Sequence, residues 1–286
     1  MLKNNPLGAI TLLWTEDYCA KDVGVLDTIR EIGYTAVDIA VGTPELFPVA
    51  ETAWALKNTG LLPVLTKALP RECNPISDNL PEREAALDYM KRLIDISHSI
   101  DCHLIAGVIY AGWGYRTGKA RTPREWDYSV SYMRKAAEYA QQAQIVLAPE
   151  VINRYVTHFL NTAEDAVKYC ECVGMDNVKV HLDTFHMMIE ERSMSQAIRC
   201  CGKEHLAYLH TCENNRGIPG DGMVPWKEVF STLSEIGYDG PMAVESYAPS
   251  FVKLAGNSCI WRSFAESGDD FARRSYSNLR GMLSDF

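Results

Sequence analysis

The chain lacks most of what would suit it to a membrane, a secretory route or a nucleic acid. No apolar run approaches the ~18 residues of a bilayer span, and the stretch from Gly8 to Trp14 is too short for the apolar part of a signal peptide. A cytoplasmic protein with no membrane partner is expected. No C-x-x-C pair occurs, and the nine cysteines are scattered. That odd number excludes a simple disulfide scaffold and points to reduced thiols, most of them small buried hydrophobes. Positive charge is scarce: 28 Lys and Arg against 37 Asp and Glu leave a net charge of -9. Such a surface repels a phosphate backbone, so no nucleic-acid partner is expected, and a DNA-repair endonuclease is a poor reading. There is neither a G-x-S-x-G elbow nor a G-x-G-x-x-G turn behind a strand, which removes the serine-hydrolase and dinucleotide readings.

What is present is an alternation. The 286 residues are 47% hydrophobic, enough for a sizeable core. Short runs rich in Val, Ile and Leu recur at Gly8 to Trp14, Ala36 to Val41, Leu62 to Lys67, His103 to Val108, Ile145 to Glu150, Val178 to Asp183, Leu206 to His210 and Pro241 to Glu245. Segments of helical periodicity separate them, and the last strand is followed by another, Asp270 to Leu283. Thr122-Pro123-Arg124-Glu125 reads as a helix start, and Gly33 and Gly237 as helix ends. No linker or charge block divides the chain. The fold class is therefore α/β, a single (β/α)8 TIM barrel spanning residues 1–286.

Four consecutive strands finish on a metal-competent side chain: Glu150, Asp183, His210 and Glu245. They are spaced by about 30 residues, one βα unit each. In a barrel all C-terminal strand ends face one mouth, so the four should converge. Each alone has a plainer explanation, as the N-cap of the next helix or a hydrogen-bonded core histidine. Together they differ, because carboxylates packed into one mouth repel one another and call for a cation. The oxygen-rich set suits Mn²⁺, Mg²⁺ or Co²⁺ better than thiolate-preferring metals, and ligand type alone does not choose among them. His181 lies two residues before Asp183 and shares its side of the strand, as a neighbour of the site or as core. The turn Gly217 to Gly222 lacks phosphate-loop spacing and should only shape its loop.

Leu182-Asp183-Thr184-Phe185-His186-Met187, followed by Ile189-Glu190-Glu191, closely resembles a motif of the ketose 3-epimerases (the tagatose/allulose 3-epimerase group) within the xylose-isomerase-like sugar isomerase and epimerase barrels. The similarity extends to Glu150-Val151-Ile152-Asn153-Arg154, to His210 with Glu213, Asn215 and Arg216, to Gly237-Tyr238-Asp239-Gly240 leading into Glu245, and to Trp261-Arg262. The resemblance implies that Glu150, Asp183, His210 and Glu245 bind the metal and that Glu150 and Glu245 form the acid/base pair on opposite faces of a ketose. It further implies that His186 and Arg216 contact substrate hydroxyls and that Trp113 forms an apolar wall; Trp14, near a strand end, could stack on the sugar. Proteins of this kind are often homodimers or homotetramers. One departure concerns Val156, where these epimerases commonly carry a glutamate that touches the substrate; its loss bears on which sugar is accepted.

The chemistry so implied is inversion of a secondary carbinol beside a ketone, at C3 of a free ketose. A weakly acidic C–H proton is removed, the enediolate is held beside a cation, and a proton returns to the other face, which requires two bases. An aldose–ketose isomerase on the same metal site, or a catalytically altered sugar-binding homologue, are the alternative readings.

Overall fold

The computed structural model describes residues 2–286. Eight strands occur in chain order: β1 Leu7–Ile10, β2 Ala36–Ala40, β3 Leu62–Thr66, β4 Leu104–Gly107, β5 Val146–Pro149, β6 Val180–Asp183, β7 Leu206–His210 and β8 Met242–Val244. Each neighbouring pair is parallel, and the order β5-β4-β3-β2-β1-β8-β7-β6 leaves β5 and β6 as the two ends. Isolated bridges, Leu147 to Val178 and Glu150 to His181, bring those ends together. The result is the eight-stranded barrel expected from the alternation.

Ten helices surround it: α1 Val25–Ile32, α2 Val49–Thr59, α3 Leu80–Ser99, α4 Pro123–Gln142, α5 Ala163–Val173, α6 Thr184–Glu190, α7 Met194–His205, α8 Trp226–Glu235, α9 Val252–Ser258 and α10 Gly268–Leu283. Strands covered by helices outside and by side chains inside are buried on both faces, which is why they read as continuous apolar runs. Inside, Val64, Ala106, Ala148 and Ala243 pack with Tyr208. The three alanines leave the room that the tyrosine fills. Outside, α1 buries Leu26 and Ile29, three apart on one face, and ends at Gly33 with φ 116°. The start of α4 is a capping box in which Thr122 accepts the Glu125 amide and Glu125 accepts the Thr122 amide. None of the described helices is long and apolar enough to cross a membrane. All nine cysteines are free, and Cys73, Cys102, Cys170, Cys201 and Cys212 are buried.

Two expectations need correction. The first strand stops at Ile10 rather than running to Trp14, because the chain turns into a 3₁₀ helix at Thr11–Leu13 whose Thr11 hydroxyl accepts the Ala40 amide. Helices α6 and α9 are absent from the sequence pattern: α6 starts directly on a strand end, and α9, with Gly256, Asn257 and Ser258 among its seven residues, has little intrinsic helix preference.

One glycine links the scaffold to the mouth. Gly107 ends β4 at φ 109°, where a Cβ would collide with the Lys67 backbone carbonyl, and its own carbonyl accepts the Glu150 amide at 2.9 Å. Replacing it strains a left-handed position and pushes two strand ends apart. Gly107→Ala should therefore destabilise the fold by about 2–4 kcal/mol, read as a lower urea midpoint; an unchanged midpoint would contradict this account.

Candidate metal centre

The four strand-end residues meet. Atoms of Glu150, Asp183, His210 and Glu245 lie within 4.8 Å of one another, and all four side chains are buried. Adjacent parallel strands bring them together, since Asp183 is in register with His210 and His210 with Ala243, two residues before Glu245. Asp183 serves both of the purposes its position suggests. Its Oδ1 accepts the Phe185 amide at 2.7 Å and caps α6, while Oδ2 turns toward the cluster.

The orientation of His210 is set from behind. Its Nε2–H donates to Asp38 Oδ2 at 2.8 Å, and the same carboxylate accepts Tyr208 OH at 2.7 Å and Thr66 Oγ1 at 2.5 Å. With the hydrogen on Nε2, Nδ1 presents a lone pair to the mouth. Buried there without a hydrogen-bond partner, it lies 4.0 Å from Glu150, 3.7 Å from Asp183 and 3.2 Å from Glu245. A lone pair facing three carboxylates is unfavourable: against burial, Glu245 and the neighbouring acids hold the ring's pKa well above its usual value, so Nδ1 calls for a proton or, in its place, a cation. The donor set therefore fits a divalent cation: three carboxylates and one imidazole with its second nitrogen fixed on an acid.

Part of that charge comes from Arg216, whose φ of 62° is uncommon for a non-glycine residue. Its Nη1 donates to Asp183 Oδ2 at 2.7 Å and to Glu245 Oε2, and its guanidinium lies 4.3 Å from the Phe185 ring centroid. One guanidinium cannot balance three carboxylates. Against the penalty of burial, Arg216 holds Asp183 and Glu245 below the usual carboxylate range. Glu150 is out of its reach as a hydrogen-bond partner and moves the other way: burial, and then the Glu245 charge, push its carboxyl well up. The two glutamates thus sit in environments that separate their proton affinities.

His186 stands beside them. Its Nδ1 accepts the Asn153 amide at 3.2 Å, and its Nε2 lies 3.2 Å from Arg216 Nη2 and 3.8 Å from Glu150 Oε1. Burial, opposed by Asp183 and reinforced by Arg216, lowers its pKa to about 4. His181 points to the same interior side as Asp183: Nδ1 lies 3.9 Å from Glu150 Oε2, and its ring packs edge-on to His210.

These groups open into a cavity of about 500 Å³ lined by Trp113, Glu150, His186, His210, Arg216 and Glu245, among others. Trp14 and Val156 do not line it. The 3₁₀ turn after β1 carries Trp14 beyond the cavity, where its indole N–H donates to Asp269 at 2.6 Å. Val156 lies in the turn after β5, half-buried against the apolar core. Glu213 fills the Gly217 to Gly222 turn, accepting the Gly220 amide and the Trp226 indole N–H at 2.7 and 2.6 Å. A turn already holding a carboxylate is closed to phosphate. Sequence reasoning missed Asp38 and Tyr247, the latter donating to Glu245 Oε1 at 2.6 Å. Asp38 had a signal: a single acid inside the apolar run Ala36-Val37-Asp38-Ile39-Ala40.

Comparison with known proteins agrees with this arrangement. Residues 26–266 match the family described as xylose isomerase-like TIM barrel. The D-psicose 3-epimerase of Ruminiclostridium cellulolyticum is 30% identical over 261 residues, 90% of this chain and 89% of that protein. The ketose 3-epimerase of Arthrobacter globiformis is 30% identical over 281 residues, 97% of this chain and 96% of that protein. The crystal structure of D-allulose 3-epimerase from Methylomonas sp. in complex with D-allulose superposes with a TM-score of 0.93 at 27% identity, covering 97% of both chains. A barrel of this order, with a four-residue cluster at its mouth and relatives matched nearly end to end, makes this chain a member of the xylose isomerase-like TIM barrel family.

Proposed function

We propose that the protein is a metal-dependent ketose 3-epimerase that inverts C3 of a keto-sugar by deprotonation and reprotonation, with Glu150 and Glu245 as the acid/base pair. The observation that carries this is the convergence of both glutamates with Asp183 and His210, beside a cavity that Glu150, His210 and Glu245 line. The named activities of the ketose 3-epimerase relatives support it.

Glu150, Asp183, His210 and Glu245 would hold the cation, with Mn²⁺ the expected ion and Co²⁺ or Mg²⁺ as alternatives. When bound, such an ion supplies Lewis-acid stabilisation of the charge that develops on the sugar oxygens. The remaining work falls to the chain. One glutamate removes the C3 proton from its side of the sugar, and the other delivers a proton to the opposite side, so the enediolate is held between them. The carboxyl of Glu150, without a hydrogen bond, is free to exchange a proton, whereas Tyr247 and Arg216 orient that of Glu245. His186 and the guanidinium of Arg216 present polar groups to substrate oxygens, and Trp113 offers an apolar wall. Asp38 acts through His210, fixing its tautomer and ring plane.

In D₂O, NMR of a ketose with the wild-type protein should show solvent deuterium entering C3 as the epimer forms. Glu150→Gln or Glu245→Gln should each lower kcat by about 10²–10⁴-fold; deuterium-free conversion between ketose and aldose would instead indicate a hydride shift and defeat the proposal. Chelation should abolish turnover and Mn²⁺ restore it, with Mn²⁺ also raising the melting temperature of the stripped protein. His210→Ala should lose that thermal shift, and its persistence would place the ion elsewhere. Asp38→Asn, titrated with Mn²⁺ calorimetrically, should bind about 10–100-fold more weakly while remaining folded; undiminished affinity would show that Asp38 does not hold the ligand.

A further inference from the structure

The catalytic cavity is larger than a monosaccharide. A free ketohexose displaces about as much volume as six water molecules, roughly 180 Å³ at ~30 Å³ each, against the cavity's 500 Å³. A second cavity of about 660 Å³ adjoins it, and the two share Glu16, Gly42, Lys67, Lys253, Leu254 and Asn257 as wall. Inverting C3 of a free ketose uses none of this additional space.

The lining of the second cavity restricts what it could accept. Carboxylates of Glu16, Asp17 and Asp22 are interspersed with amines of Lys21, Lys67 and Lys253. A phosphate would meet as many negative groups as positive ones. The most buried of those amines, Lys67, is already committed, donating to the backbone carbonyls of Val41 and Gly42 at 2.8 and 2.5 Å. Burial has also lowered its pKa to about 8, which weakens it further as an anion anchor. A mixed set of donors and acceptors suits a neutral polyhydroxylated group instead. Trp14 borders the same space, its ring position fixed by the indole bond to Asp269, and an anchored indole offers a sugar ring an apolar face with little ordering required on binding.

We infer that the substrate is a ketose extended by a neutral glycosyl unit, with the reacting ketose at the four-residue cluster and the second sugar in the cavity bordered by Trp14. This rests on the epimerase reading above. Contacts to a non-reacting sugar would hold the ketose in place and appear in kcat/KM.

The test is solvent-deuterium incorporation at C3 by the Mn²⁺-loaded protein, measured as kcat/KM for fructose, fructose 6-phosphate and the glucosyl-fructoses maltulose and isomaltulose. At least one glucosyl-fructose should exceed fructose by about tenfold or more. Thr43→Trp, which crowds the second cavity, should bring that ratio toward one, with Lys21→Trp taking its place if the first variant does not fold. A preference for free fructose or for the 6-phosphate overturns the inference, as does a glucosyl preference that survives crowding. Absence of deuterium in every ketose would instead remove the epimerase reading on which it stands.

Discussion

Three buried carboxylates converging on one point are the constraint around which the rest of this molecule is arranged. Left to themselves they would take up protons or drive the strand ends apart. The chain supplies partial relief in Arg216, which reaches across from the loop after β7 in a left-handed backbone conformation to donate to Asp183 and Glu245. It supplies direction in Asp38, which accepts a hydrogen bond from His210 Nε2 and leaves that ring's other nitrogen among the acids. What remains unbalanced is the requirement for a cation, and the asymmetry of that balance separates Glu150 from Glu245. One is buried without a hydrogen bond and the other is held by a guanidinium and a phenol.

The position of the cluster within the barrel matters as much as its composition. Glu150 lies just beyond β5, at the seam where the barrel is joined through isolated bridges rather than a continuous ladder, and its own bridge partner is His181. That seam brings β5 against β6, so the acid of one strand faces the acid and the histidine of the next. Small interior residues below it, Ala106, Ala148 and Ala243, admit Tyr208, and Tyr208 in turn braces Asp38. Barrel packing and ligand orientation are thus continuous: the floor of the site is also the hydrogen-bonded support of one of its donors.

Much of this could be read from the residues before the fold was known. Glu150, Asp183, His210 and Glu245 each close an apolar run, and the repeat of that pattern over successive βα units carries information that a single strand end does not. Asp183 shows why a single residue is ambiguous: the helix-capping reading and the site reading are both true, one for each oxygen. Asp38 escaped attention because it sits within a strand rather than at its end, although an isolated acid in a run buried on both faces must find partners. Trp14 and Val156 lie off the catalytic wall: proximity in sequence to a strand end does not place Trp14 there, because a 3₁₀ turn carries it into the neighbouring cavity, and Val156 sits in the turn after β5.

By itself the amino-acid order determined the alternation of strand and helix, hence the barrel, and the residue types that close each strand, because apolar periodicity and chain-terminal polarity are local properties that short segments express directly. Only the closed tertiary structure decided which groups share a cavity, which nitrogen of His210 faces it, and which glutamate keeps its proton more tightly. Those depend on distances of a few ångströms between residues far apart in the chain, and on the removal of water that makes such distances count.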